Sequence, residues 1–141
     1  MKKIYIASDH AGYSLKNYIF EKLKTKFDIM DLGTNKKSVS VNYPIYAHKL
    51  SKIVSKKKSN VGILICGSGT GMNIAANKHR NIRAAQCFSV KSTKLSRLHN
   101  DANVITLGAR LISRNNALKY ISVFLNTKFE GGRHLRRVKK I

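Results

Sequence analysis

Short apolar runs alternate with longer stretches whose apolar positions recur every three or four residues, from one end of the chain to the other. Residues 3–7, Lys-Ile-Tyr-Ile-Ala, predict a first strand. Residues 13–26 predict an amphipathic helix with Leu15, Tyr18, Ile19 and Leu23 on one face. Residues 27–32 alternate apolar with acidic side chains before Gly33 breaks the run, which predicts a second strand. Pro44 favours the first turn of a helix ending near Ser55. Residues 61–66 are apolar throughout, as a strand covered on both faces should be. A helix over 72–79, a strand over 82–88, a short helix over 90–98, a strand over 103–107 and a helix over 115–126 complete the series. The basic tail beyond Gly131-Gly132 has room for a last helical turn or two. Five strands separated by helices predict an α/β fold: a parallel sheet with helices on both faces, in three layers.

Composition narrows the class. The 141 residues carry no internal repeat or low-complexity linker, so one domain over 1–141 is expected. A hydrophobic share of 43% and a single Pro exclude disorder and collagen-like sequence. The longest apolar run, 61–66, falls far short of the roughly 20 residues that span a bilayer. The N-terminus reaches Ser8 and Asp9 before a secretory signal could form. Two cysteines cannot staple a chain of this length, which points to a reducing, cytoplasmic setting with no membrane partner. Charge is the unusual feature: 28 Lys and Arg against 6 Asp and Glu give +22. The basic residues are dispersed, apart from Lys56-Lys57-Lys58 and the run Arg136-Arg137-Val138-Lys139-Lys140, and no aromatic cluster accompanies them. A solvated surface that steers an anionic substrate inward fits this better than specific nucleic-acid binding.

In parallel sheets ligands bind beyond the carboxyl ends of the strands, near a topological switch point. The segments there are Ser8-Asp9-His10-Ala11-Gly12, Asn42-Tyr43-Pro44, Cys66-Gly67-Ser68-Gly69-Thr70-Gly71 and Gly108-Ala109-Arg110. His99-Asn100-Asp101 instead precedes its strand, a place from which a neighbouring subunit could supply it. The glycines at 67, 69 and 71 let backbone N–H groups point at an oxyanion. No Lys-Ser or Lys-Thr follows, so this is not a nucleotide-hydrolase loop, and the dinucleotide pattern belongs after the first strand, so no nicotinamide cofactor is expected. Cys66 stands directly before the loop, where a thiolate, the reactive form of cysteine, is favoured. Cys87, inside a strand, reads as core. No Cys/His spacing matches a zinc site, so no metal is expected.

Taken together, these segments resemble the ribose-5-phosphate isomerase B family, which also contains galactose-6-phosphate isomerase subunits. Further matching pieces are Asp31-Leu32-Gly33-Thr34, Ala75-Ala76-Asn77-Lys78, Ile82-Arg83-Ala84 and Glu130-Gly131-Gly132-Arg133-His134, in order along nearly the whole chain. The resemblance implies a Rossmann-like aldose–ketose isomerase that needs no metal or cofactor, works as a homodimer or dimer of dimers, and has its site at the subunit interface. It implies Cys66 as the base between C2 and C1, with Ser68 and the N–H groups from Gly67 through Gly69 to Gly71 around the enediolate. It implies His99 as the ring-opening group and Asp9 and Tyr43 at the sugar hydroxyls. His10, Arg133 and Arg137 become a phosphate clamp, joined by Arg110 and Asn100. Some branches use a Glu just beyond the loop in place of the Cys; here that place holds Met72, which leaves Cys66. Ribose 5-phosphate is the expected substrate, with galactose 6-phosphate or allose 6-phosphate as the hexose alternative.

Overall fold

The computed structural model describes residues 2–141. Its elements run β1 (Lys3–Ser8), α1 (Tyr13–Leu23), β2 (Asp28–Asp31), α2 (Tyr43–Val54), β3 (Asn60–Cys66), α3 (Thr70–Ala76), β4 (Ala84–Gln86), α4 (Val90–Asn100), β5 (Val104–Gly108), α5 (Arg114–Asn126) and α6 (Arg133–Val138). All strands are parallel, in the order β2-β1-β3-β5-β4. This is the expected Rossmann-like sheet, with the apolar 61–66 run at its centre, buried from Gly62 onward. Among the described residues no helix is long and apolar enough to cross a membrane.

Alternation along each strand sends successive side chains to opposite faces and so builds two cores. Ile4, Ile6, Ile63, Ile65, Ile105 and Leu107 meet α1 and α5 on one face. Tyr5, Ala7, Leu64, Cys66 and Val104 meet α2 and α3 on the other. Cys87 lies in the first core, where burial pushes its thiol above the ordinary value. Boundaries differ from the sequence pattern for local reasons. Helix α1 stops at Leu23 because Lys26 and Phe27 both donate their N–H to the Leu23 carbonyl. Helix α3 gives way to the three-residue bonds Lys78 to Ala75 and His79 to Ala76. Strand β4 is only three residues long. Arg83 donates its N–H to the Asn103 side chain, and Ser89 and Ser92 close a capping box that starts α4. Helix α4 runs to Asn100 and ends where Asp101 turns left-handed at φ 46°.

The apolar face of α1 carries an unexpected charge. Lys16 is 1% exposed, while Tyr18 is only partly buried. The Lys16 ammonium donates to Asp31 Oδ2 at 2.5 Å and to Asn17 Oδ1 at 3.0 Å. Asp31 Oδ1 in turn accepts the Gly33 N–H at 2.8 Å, and Gly33 and Thr34 pair with Ser8 beside the site. The two partners are unequal, since the Asp31 side chain keeps 30% of its surface in water. Asp31→Asn strands a buried ammonium and should cost about 3 kcal/mol, whereas Lys16→Met leaves a carboxylate that water can reach and should cost less. Urea unfolding of both variants checks the order, and an equal or larger loss in Lys16→Met would count against it.

Candidate active site

The strand order reverses direction between β1 and β3, which makes their carboxyl ends the switch point. Asp9 leaves β1 there, and its N–H bonds to the Ile65 carbonyl of β3. Its buried carboxylate accepts the Gly12 N–H at 3.0 Å, which points the group across the rim. Cys66 ends β3, 5% exposed, and its Sγ accepts the Gly69 N–H at 3.1 Å. That bond depends on Gly69 being left-handed at φ 81°, a conformation that costs a glycine little. A Cβ on Gly71 would lie 2.6 Å from the Tyr43 ring, so only glycine admits that ring over the loop. The Arg110 guanidinium, delivered by the turn after β5, lies over Gly67. A cavity of about 420 Å³ is bounded by Asp9, Tyr43, Cys66, Gly67, Ser68, Gly71, Arg110 and Leu111. It joins a thiol, a carboxylate, a guanidinium and a glycine loop, a combination that suits a small phosphorylated ligand.

The remaining candidate residues lie elsewhere. Helix α4 runs antiparallel to the strands, so its last turn places His99 and Asn100 near the amino end of β5, opposite the glycine loop. Helix α6 packs on α4 and brings Arg133 and Arg137 to the same end. The His134 ring stacks on His99 with centroids 4.2 Å apart and planes 11° from parallel. His99, Glu130 and His134 offer ligand atoms within 4.8 Å of one another, the one such trio among the described residues. Within it the two imidazoles are stacked, and the Glu130 carboxylate lies 3.9 Å from His134 Nε2. His10 does not line the Cys66 cavity; its Nδ1 accepts the Val41 N–H at 3.2 Å, which leaves Nε2 as the nitrogen carrying the proton in the neutral ring. His48 and His79 meet each other at 2.6 Å and join α2 to the end of α3. Burial, then the charges of His48 and Lys52, hold His79 below the ordinary imidazole range.

Two supporting residues escaped the sequence reading. Gln86 of β4 donates its side-chain amide to the Ser68 carbonyl at 2.8 Å and braces the glycine loop. The buried Thr106 hydroxyl holds Asn73 of α3 at 3.1 Å. A larger cavity, about 580 Å³, lies at the amino end of the sheet among Lys2, Lys56, Arg83, Arg97 and Asp101. Its arginines are engaged by the Asp101 carboxylate and by backbone carbonyls, and neither a thiol nor an imidazole lines it. The smaller cavity, where a thiol, a carboxylate and a guanidinium converge, is the candidate site.

Fold and rim define a Rossmann-like α/β protein with a thiol and a glycine loop at its switch point. Residues 4–141 match the family described as Ribose/Galactose Isomerase. The ribose-5-phosphate isomerase B of Escherichia coli is 41% identical over 142 residues, covering 100% of this chain and 95% of that one. Ribose-5-phosphate isomerase B from Mycoplasma genitalium, solved with bound ribulose-5-phosphate, superposes with a TM-score of 0.95 at 44% identity, covering 98% of this chain and 92% of that chain. The Anaplasma phagocytophilum enzyme of the same name gives 0.94 at 44%, covering 99% and 96%. The chain belongs to the ribose/galactose isomerase family.

Proposed function

We propose that the protein interconverts ribose 5-phosphate and ribulose 5-phosphate through an enediolate, with Cys66 as the base. The observation that carries this is the buried Cys66 sulfur under the Gly69 N–H, at the rim of the cavity that also holds Asp9, Ser68 and Arg110. The sugar first opens. His99 takes the proton of the anomeric hydroxyl as the bond from C1 to the ring oxygen breaks, and hands that proton to the ring oxygen, which becomes a hydroxyl while C1 becomes the aldehyde. The Cys66 thiolate then removes the C2 proton, and the electron pair moves to the C1 carbonyl oxygen. N–H groups of the loop from Gly67 to Gly71 stabilise that charge as it forms. The thiol returns its proton to C1, the C2 hydroxyl proton passes to the C1 oxygen, and C2 becomes the carbonyl. Atoms and electrons balance with no co-reactant.

In one chain His99 and Cys66 occupy opposite ends of the sheet, so a complete site joins two chains. The protein therefore works as a homodimer, or a dimer of dimers, in which one protomer's His99, Asn100, Arg133 and Arg137 face its partner's Cys66 rim. Exposed apolar side chains at that rim, Tyr43, Ile45, Ile74, Phe88 and Leu111, support a covered face. Both cysteines are free and buried, which suits the cytoplasm.

The experiment is a side-by-side assay of purified protein on ribose 5-phosphate, galactose 6-phosphate and allose 6-phosphate. The pentose should give the highest kcat/KM; a preference for a hexose would move the protein to the other branch of the family. Arg133→Ala and Arg137→Ala should each raise KM with little change in kcat, because the phosphate does not react. Each lost charged hydrogen bond should cost about 1.5 to 3 kcal/mol of binding. Unaltered KM in both variants would remove them from the clamp.

A further inference from the structure

We propose that His134 is a positioning residue for this reaction: its ring registers the clamp helix α6 against His99, so that phosphate clamp and ring-opening imidazole reach the substrate as one unit. The inference rests on the functional reading above.

Helix α6 cannot hold itself in place. It has six residues, too few for a stable isolated helix, and it follows two left-handed glycines, Gly131 at φ 72° and Gly132 at φ 55°. Arg133, Arg136 and Arg137 are exposed, and the apolar Leu135 remains 42% exposed. Its single buried side chain is His134. That ring is 5% exposed and lies flat on His99. The start of the arm is tied to the same turn of α4, where the Glu130 N–H bonds to the Leu98 carbonyl at 3.1 Å. Arg97 of α4 also donates to the Thr127 carbonyl at 3.1 Å, so the arm's start is tied twice. Within α6 itself the His134 stack is what sets Arg133 and Arg137 relative to His99.

The chemistry of the stack suits ring opening. His134 Nε2 is buried without a hydrogen-bond partner, and the Glu130 carboxylate at 3.9 Å is too distant to serve. Burial holds the ring below the ordinary imidazole range; the charges of His99, Arg133 and Arg137 act in the same direction, and Glu130 opposes them. At neutral pH His134 is uncharged. His99 can then take the sugar's proton while the π face of its neighbour lies against the new cation. A protonated His134 would set two cations face to face beside Arg133. The sign for docking follows: once pH falls below the ordinary imidazole value, the released arm binds a proton that the docked arm resists. Docking is complete above that range and weakens in acid.

The test uses the full-length protein with His134→Ala, His134→Phe and wild type. Amide hydrogen exchange over residues 133–138 reads docking without reference to activity. His134→Ala should lose protection there, and His134→Phe, which keeps the flat ring, should retain it at low pH where wild type loses it. On ribose 5-phosphate, His134→Ala should raise KM and lower kcat, each by about ten- to a hundredfold. On a four-carbon aldose phosphate whose ring-closing oxygen carries the phosphate, KM should rise while kcat holds. Full protection of α6 in His134→Ala, or loss of protection in His134→Phe equal to that in His134→Ala, would overturn the proposal. If exchange follows the expected pattern while wild type isomerises neither sugar, the functional reading fails and the docking role stands.

Discussion

Neither Cys66→Ala nor His99→Asn should turn over ribose 5-phosphate alone, yet an equal mixture unfolded and refolded together should recover about a quarter of wild-type activity. The fraction follows from a two-fold dimer whose sites each combine Cys66 of one chain with His99 of the other. Random pairing makes half the dimers hybrids, and each hybrid has one intact and one doubly defective site. The geometry behind this is the direction of α4, which carries His99 away from the Cys66 rim of its own chain. A refolded mixture as inactive as its parents, with hybrids demonstrated by mass spectrometry, would mean that each site is built within one chain.

The second large effect belongs to the two thiols. Cys66→Ala should reduce turnover by about 10²- to 10⁴-fold, the usual value of a positioned acid or base. Cys87→Ala should leave turnover near wild type, because that sulfur lies in the core against α4 and its thiol is held protonated by burial. Cys87→Ala still leaves a small cavity and should lower stability while sparing catalysis. Opposite outcomes, with Cys87 essential and Cys66 dispensable, would place the chemistry elsewhere.

Much of this arrangement was legible in the sequence because a parallel sheet puts information at fixed places. The apolar run ending at Cys66 had to be central, and whatever followed Ser8 and Cys66 had to share the rim. Glycines at 67, 69 and 71 marked the turn where side chains are excluded. What stayed hidden depends on distant partners. Lys16 shares the buried face of α1 with Ile19 and Leu23, and only the folded chain shows that Asp31 beside it makes a charge tolerable there. Gln86 looks like one more strand residue until β4 is placed near α3. The segment from Glu130 to His134 was visible as a motif, but periodicity could not show that its histidine closes on the last turn of α4.

The most direct measurement follows the C2 hydrogen itself. Ribose 5-phosphate incubated with the protein in deuterated water should exchange that hydrogen for deuterium, seen by proton NMR as loss of the C2 signal while ribulose 5-phosphate forms. In Cys66→Ala the signal should persist, and in Cys87→Ala it should vanish at the wild-type rate. Exchange in Cys66→Ala at the wild-type rate would contradict the account, since the base would then be some other group.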